Sequence, residues 1–154
     1  MNSPKGLYSK LALAEMVTWA LLILGLVLKY VTKTTELGTA IFGSIHGFVF
    51  LSYLVTTVLV WINQRWSFAR GIIGLGSSIL PFMTYPFERS TEKAGLLDGP
   101  WRFVDDSEQP RGLFESVLAM VIRRPFVSAF VAIILIAVVF SLLLMAGPPT
   151  QWFQ

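Results

Sequence analysis

The sequence predicts an all-α polytopic membrane protein of about four transmembrane helices, the third kinked or re-entrant, with a short surface helix before the last span. Three observations carry this. Of 154 residues, 55% are apolar and 14% charged, against about 45–50% and about 25% in soluble domains. The apolar residues fall in runs of roughly 20, the length a helix needs to cross the hydrocarbon layer. Most of the charged residues collect in one stretch, Glu88 to Arg124. A soluble enzyme is excluded at the outset.

The first run, Leu11 to Val31, contains Glu15 near its start and Lys29 near its end. It is too long for a signal-peptide core, and no A-x-A-like site follows it. It reads as a retained transmembrane helix. The second run, about Ile41 to Ile62, contains only His46 as a group ionisable near neutral pH. Its β-branched residues favour strand in water, but in lipid a helix satisfies every backbone group within the segment.

The third run, about Ser67 to Phe87, is interrupted by Gly71, Gly74 and Gly76 early and by Pro81 and Pro86 late. Proline removes a donor and bends a helix. A kinked spanning helix is expected, with a re-entrant segment as the alternative. In the polar stretch, Leu113, Phe114, Val117, Leu118 and Val121 share one helical face, which predicts a helix lying on the membrane surface. The fourth run, Phe126 to Ala146, is uncharged, follows Arg123–Arg124–Pro125, and ends at Pro148 and Pro149 before Trp152 and Phe153. Three units follow: residues 1–89 as a three-helix membrane unit, 90–124 as a polar loop with an interfacial helix, and 125–154 as the last span and tail.

Absences bound the chemistry. With no Cys and one His, the chain cannot supply a disulfide, a thiolate, Fe–S ligation or a two-His metal site. No catalytic, cofactor-binding or metal-binding residue is expected. Asp105, Asp106 and Glu108 lack the calcium-loop spacing and read as a solvated acidic turn. The net charge of +3 borders apolar segments instead of forming a basic face, so it reads as membrane orientation and nucleic acid is not an expected partner.

If all four runs span, Lys5, Lys10, Arg65 and Arg70 lie on one side, and Lys29, Lys33 and the basic residues of the long loop on the other, with both termini outside. If the third run is re-entrant, only Lys29 and Lys33 oppose all the rest. Either count puts the 88–124 loop in the cytoplasm and the carboxyl tail outside a plasma membrane.

Ionisable groups inside apolar runs need a physical reason. Stepping along antiparallel helices at about 1.5 Å per residue sets Glu15 level with Arg70, and Lys29, His46 and Glu88 level at the opposite face, near Tyr30 and Tyr85. Two interfacial clusters that pin helix register are expected. A proton path through Glu15, His46 and Glu88 is the sharper reading, but it would lack a relay between the two faces. Gly43/Gly47, Gly74/Ser78 and Ser128/Ala132 have the small-x-x-x-small spacing of close helix packing, within the chain or onto a partner.

The segments ALAEMVTWALLILGLVLKYV, GSIHGFVFLSYLV and SILPFMTYPFER resemble the YdzA-like small integral membrane family of unknown function, over about Leu7 to Arg89. The resemblance rests on Glu15, Trp19, Lys29, Tyr30, His46, Gly47, Phe48, Tyr53, Pro81, Phe82, Glu88 and Arg89. It implies a three-helix membrane unit, to which this chain adds the polar loop and a fourth helix. The expected function is a non-catalytic accessory subunit that binds other integral membrane subunits in the bilayer. By analogy with small helical subunits, the host would be an actinobacterial respiratory cytochrome assembly. The alternative is a small homo-oligomeric transporter or channel, with Ser52, Thr56 and Thr57 as candidate lumen residues.

Overall fold

The computed structural model describes residues 3–105 and 108–146, and for Leu144 and Ala146 the backbone alone. Asp106, the Pro148–Pro149 stop and the Trp152–Phe153 tail lie outside the described residues.

Helix α1 (Pro4–Leu26) opens with Pro4 in its first turn, and the Ser3 hydroxyl accepts from the Gly6 amide at 3.1 Å. Proline suits that position because its missing N–H has no helical partner there. A π-helical turn, Val27–Val31, extends α1. Helix α2 (Leu37–Gln64) returns antiparallel to it. It stops where Arg65 adopts a left-handed conformation at φ 51°, with the Trp66 amide donating to Trp61 O and the Arg65 amide to Ile62 O. Those two bonds form the Schellman closure, which consumes otherwise orphaned carbonyls.

The third apolar run does not span. Helix α3 (Phe68–Ser77) is capped by the Ser67 side chain and ends ten residues in. The chain reverses over residues 78–83 with Phe82 at φ 66°, and α4 (Thr84–Lys93) runs back. Pro81 explains the break: it lacks the donor that would bond Ser77 O, and its ring disfavours helical backbone at the preceding residue. Pro86 sits in the first turn of α4, where it costs little. The return is fixed at both ends. Thr84 meets α1 at Ala12, while Glu92 pairs with Lys5 at 2.8 Å. The re-entrant alternative therefore holds, and a kinked third span does not.

Among the described residues, three helices are long and apolar enough to cross a membrane: Pro4–Val31, Leu37–Gln64 and Pro125–Leu143. With α3 and α4 as the re-entrant hairpin, the protein is a polytopic, all-helical membrane protein, and among the described residues no strand occurs.

Helix α5 (Gly112–Arg123) and helix α6 (Pro125–Ala146) follow. The expected apolar face of α5 divides. Leu118, with Ala119 and Ile122, packs inward, while Leu113, Phe114, Val117 and Met120 stay exposed. An outward apolar row beside a charged loop is what a helix lying on lipid presents. Helix α6 crosses antiparallel to α2 and places Phe140 against Gly47, where an added Cβ would come within 2.6 Å of the ring.

The core lies at the end where α1 begins and α2 and α4 finish. Tyr8, Val60, Trp66 and Phe87 pack there with Leu97, Trp101 and Phe103 from the loop. The polar loop is thus a fitted cap. Trp66 Nε1 donates to Leu96 O at 2.7 Å, and Asn63 bonds Pro100 O and the Arg102 amide.

Candidate functional site

Along α1, Tyr8, Ala12, Glu15 and Thr18 recur every three or four residues and are all buried. They share one face because the helix repeats every 3.6 residues. Along α2, His46 and, two turns on, Tyr53, Thr57 and Val60 are buried on one face as well. The hairpin adds Ser77, Thr84 and Glu88. The interior is therefore a polar seam, and the lipid-facing surfaces carry Leu, Ile, Val and Phe. Polar groups at membrane depth normally face the protein interior in this way, since lipid offers them no partner.

The seam has two strings of hydrogen bonds. In the first, the Tyr8 and Tyr53 hydroxyls are 2.7 Å apart, and Tyr53 OH lies 3.1 Å from Ser77 Oγ, which donates to Gly74 O. Thr57 donates to Tyr53 O at 2.8 Å. This string joins α1, α2 and α3 with every member partnered.

The second string contains the acids. Glu15 is fully buried, with Oε2 3.0 Å from Thr84 Oγ1 and Oε1 without a partner. Thr84 Oγ1 is equally 3.0 Å from Ala12 O. One turn deeper, Thr18 Oγ1 donates to Glu15 O and lies 3.1 Å from His46 Nδ1. His46 packs against Trp19, whose Nε1 donates to Ser78 O, and against Phe50. Toward the core end, Ser9 donates to Glu88, which is only 1% exposed.

The expected clusters are rearranged by the hairpin. Among the described residues no ion pair joins Glu15 to Arg70. Arg70 instead bonds Ser90 and Thr91 and stacks over Phe87. Lys29, His46 and Glu88 do not meet. Lys29 faces Glu36 at 3.6 Å beside the Tyr30 ring, His46 sits mid-helix against Thr18, and Glu88 lies near the opposite end with Ser9. Because α4 runs back, Glu88 shares the side of Glu15 instead of opposing it. Tyr85 pairs with Arg89, not with Lys29.

The small-residue pairs serve internal packing where contacts exist. Gly43 faces Leu22, Gly47 receives Phe140, and Gly74 sits under Phe87 and Thr57. Ser78 is buried and bonds Leu75 O. Ser128 and Ala132 remain on the outer helix α6, Ser128 reaching Met120 O at 3.5 Å. Thr56 and Thr57 are buried, and Ser52 bonds its own helix at Phe48 O, so none lines an open lumen within one chain.

Sequence reasoning passed over Ser9, Thr18 and Thr84, and weighed Thr57 only as a lumen residue. For Thr18, Thr57 and Thr84 the signal was present: these hydroxyls fall in step with Glu15, His46 and Glu88 on their helices. Among the described residues no group of three or more His, Asp or Glu is placed to hold a metal.

In the cap, Arg102 bonds Glu108 at 2.6 Å and Glu115 at 3.0 Å, with Arg65 at 3.9 Å from both. The Arg111 amide donates to Glu115 at 2.8 Å, and that bond, with Arg102 beside it, holds the Glu115 carboxyl below its usual range. The acidic turn thus contributes Glu108 to an ion network. A cleft of about 330 Å³ runs between it and the end of α2.

Comparison with known proteins agrees with a membrane module. A Streptomyces coelicolor protein named "Putative membrane protein" is 43% identical over 94 residues, covering 60% of this chain and 11% of that protein. The chain therefore spans only a small part of that relative. No solved structure matches. The domain of unknown function DUF3817 matches residues 6–93, from the first turn of α1 to the last residue of α4. With the helical fold and three candidate spans, this agrees with the small membrane family of unknown function that the sequence resembled, and the chain belongs to the DUF3817 family.

Proposed function

We propose that the chain is a non-catalytic accessory subunit that docks on a larger membrane complex. The observation that carries this is the relative's proportion: a segment matching this unit makes up about a tenth of a much longer membrane protein. A module joined covalently to a large partner in one protein suits a non-covalent attachment in another. Helix α6 supports the reading. Phe140 packs on Gly47 and Ile136 is buried, while Phe126, Phe130, Ile133 and Leu142 stand exposed along it. A respiratory cytochrome assembly of an actinobacterial plasma membrane is the host to test first.

The re-entrant hairpin sharpens the proposed orientation. It brings Lys5, Lys10, Arg65, Arg70 and every basic residue of the loop to one side and leaves Lys29 and Lys33 on the other. By the positive-inside rule, the start of α1 and the cap face the cytoplasm, and α6 leads outward.

Extraction in mild detergent followed by native mass spectrometry tests the subunit reading. The expected result is this chain within a larger heteromeric assembly. A symmetric oligomer of this chain alone would overturn it in favour of the transporter or channel.

A further inference from the structure

Two hydroxyls in the seam locate protons by counting. Thr84 Oγ1 carries one hydrogen but lies 3.0 Å from two oxygens, Ala12 O and Glu15 Oε2. A main-chain carbonyl can only accept. Both contacts are full hydrogen bonds only if Thr84 donates to Ala12 O and Glu15 donates to Thr84, which requires a proton on Oε2. The remaining oxygen, Oε1, is then the carbonyl of a neutral acid. Left without a partner, it costs far less in a buried site than half of an unpaired carboxylate. The same count applies at Thr18: its hydrogen goes to Glu15 O, so His46 Nδ1 carries the hydrogen shared between them.

The surroundings agree. On α2, His46 and Tyr53 lie nearest. On α4 the facing groups are Thr84 and Glu88, and on α3 they are Ser77 and Ser78. Along α1 itself, Tyr8 and Ser9 lie toward the cap, Trp19 lies one turn on with its indole N–H donating to Ser78 O beside the Glu15 carboxyl, and no charged residue follows until Lys29. Among the described residues, no Lys or Arg forms an ion pair with Glu15 or Glu88. On the hairpin, Arg70 is held by Ser90 and Thr91, and Arg89 by Tyr85 and Glu92. An isolated buried carboxylate is among the costliest groups in a membrane, and taking up a proton removes the charge.

The polar path is one-sided. Thr84, Glu88 and Thr91 fall at i, i+4 and i+7 on α4, stepping from Glu15 toward the cap, where Lys5 pairs with Glu92. In the other direction the seam closes on Trp19 and Phe50 around His46, and then on the contact of Gly25 with Gly38. We propose that Glu15 is a proton-binding site within the membrane, reached from the cap side through Glu88 and closed toward the other side beyond His46. The step is simple: a proton from water at the cap adds to the Glu15 carboxylate and is retained on Oε2. The site does not depend on whether the chain has a partner.

Infrared spectroscopy of the full chain in lipid vesicles tests this directly. At neutral pH, Glu15 should contribute the carbonyl stretch of a protonated acid, identified by its loss in Glu15→Gln. If that variant does not fold, Glu15→Asp should shift the band and serve the same purpose. Dicyclohexylcarbodiimide, which adds to protonated carboxyls in apolar surroundings, should label Glu15. Deuteration of the acid band should be faster from the cap side and slower in Glu88→Gln. A carboxylate stretch in place of the acid band overturns the proposal, as does a carbodiimide adduct found on Glu88 and not on Glu15. Equal deuteration from both sides overturns its one-sided access.

Discussion

Thr84 at the start of α4 touches Glu15 in the middle of α1 across 69 positions of sequence, and that contact seats the tip of the re-entrant hairpin. The same hydroxyl bonds Ala12 O, so one side chain ties both backbone and carboxyl of α1 to α4. Thr84→Val keeps the shape and removes both bonds. It should destabilise the protein by about 1–3 kcal/mol, the cost of leaving buried polar groups unpaired. Thr84→Ser should recover most of the loss. Unfolding in mixed micelles, followed by tryptophan fluorescence, measures the difference.

Gly71 and Gly76 lie on the same short helix, yet they should respond in opposite ways. A Cβ at Gly71 would fall 2.1 Å from the Trp61 ring, whereas nothing lies within 4 Å of one at Gly76. Gly71→Ala should cost about 1–3 kcal/mol through overpacking, and it should disturb the bond from Trp61 Nε1 to Trp66 O. Gly76→Ala should be neutral or stabilising by up to about 1 kcal/mol, because alanine restricts the unfolded chain and favours helix. Thermal unfolding of the two variants separates them.

Much of this was legible in the residues. The long runs announced α1, α2 and α6, since lipid leaves a continuous apolar segment few alternatives to helix. Pro81 and the glycines marked the third run as irregular. What the runs could not reveal was the direction of the chain after Pro81. A kink and a reversal share the same composition, and the choice rests on tertiary bonds such as Thr84 to Ala12 and Lys5 to Glu92. Every height assigned on the spanning assumption then shifted for residues past the turn. Glu88 moved to the side of Glu15, and Arg70 took serine and threonine partners on α4. The cap was hidden for a related reason: Leu97, Trp101 and Phe103 are spaced irregularly, so no periodicity marks them as core.

The cap should loosen in acid. The bond from the Arg111 amide, together with Arg102, depresses the Glu115 carboxyl in the folded protein. A depressed folded value means that the unfolded chain binds the proton more readily. The stabilisation is complete above the unfolded carboxyl range and is lost as pH falls through the folded one. Hydrogen exchange at the Arg111 and Arg102 amides should therefore accelerate below about pH 4, the ordinary carboxyl range. Glu115→Gln should give fast exchange at neutral pH and weaken the acid response. Unchanged exchange in that variant would mean that the bonds from Asn63 and Trp66 and the buried Leu97, Trp101 and Phe103 hold the cap without Glu115.

The proposed orientation can be read with single cysteines, because the chain contains none of its own. Lys93 is exposed at the end of α4 on the cap side, and Glu36 is exposed at the turn between α1 and α2. A membrane-impermeant maleimide should label Glu36→Cys in intact cells and Lys93→Cys only after the cells are opened. The pair also separates the hairpin from a spanning third segment. If residues 67–87 crossed the bilayer, Lys93 and Glu36 would share a side and label together. Because α4 returns alongside α1, the two positions should never label under the same conditions in closed cells.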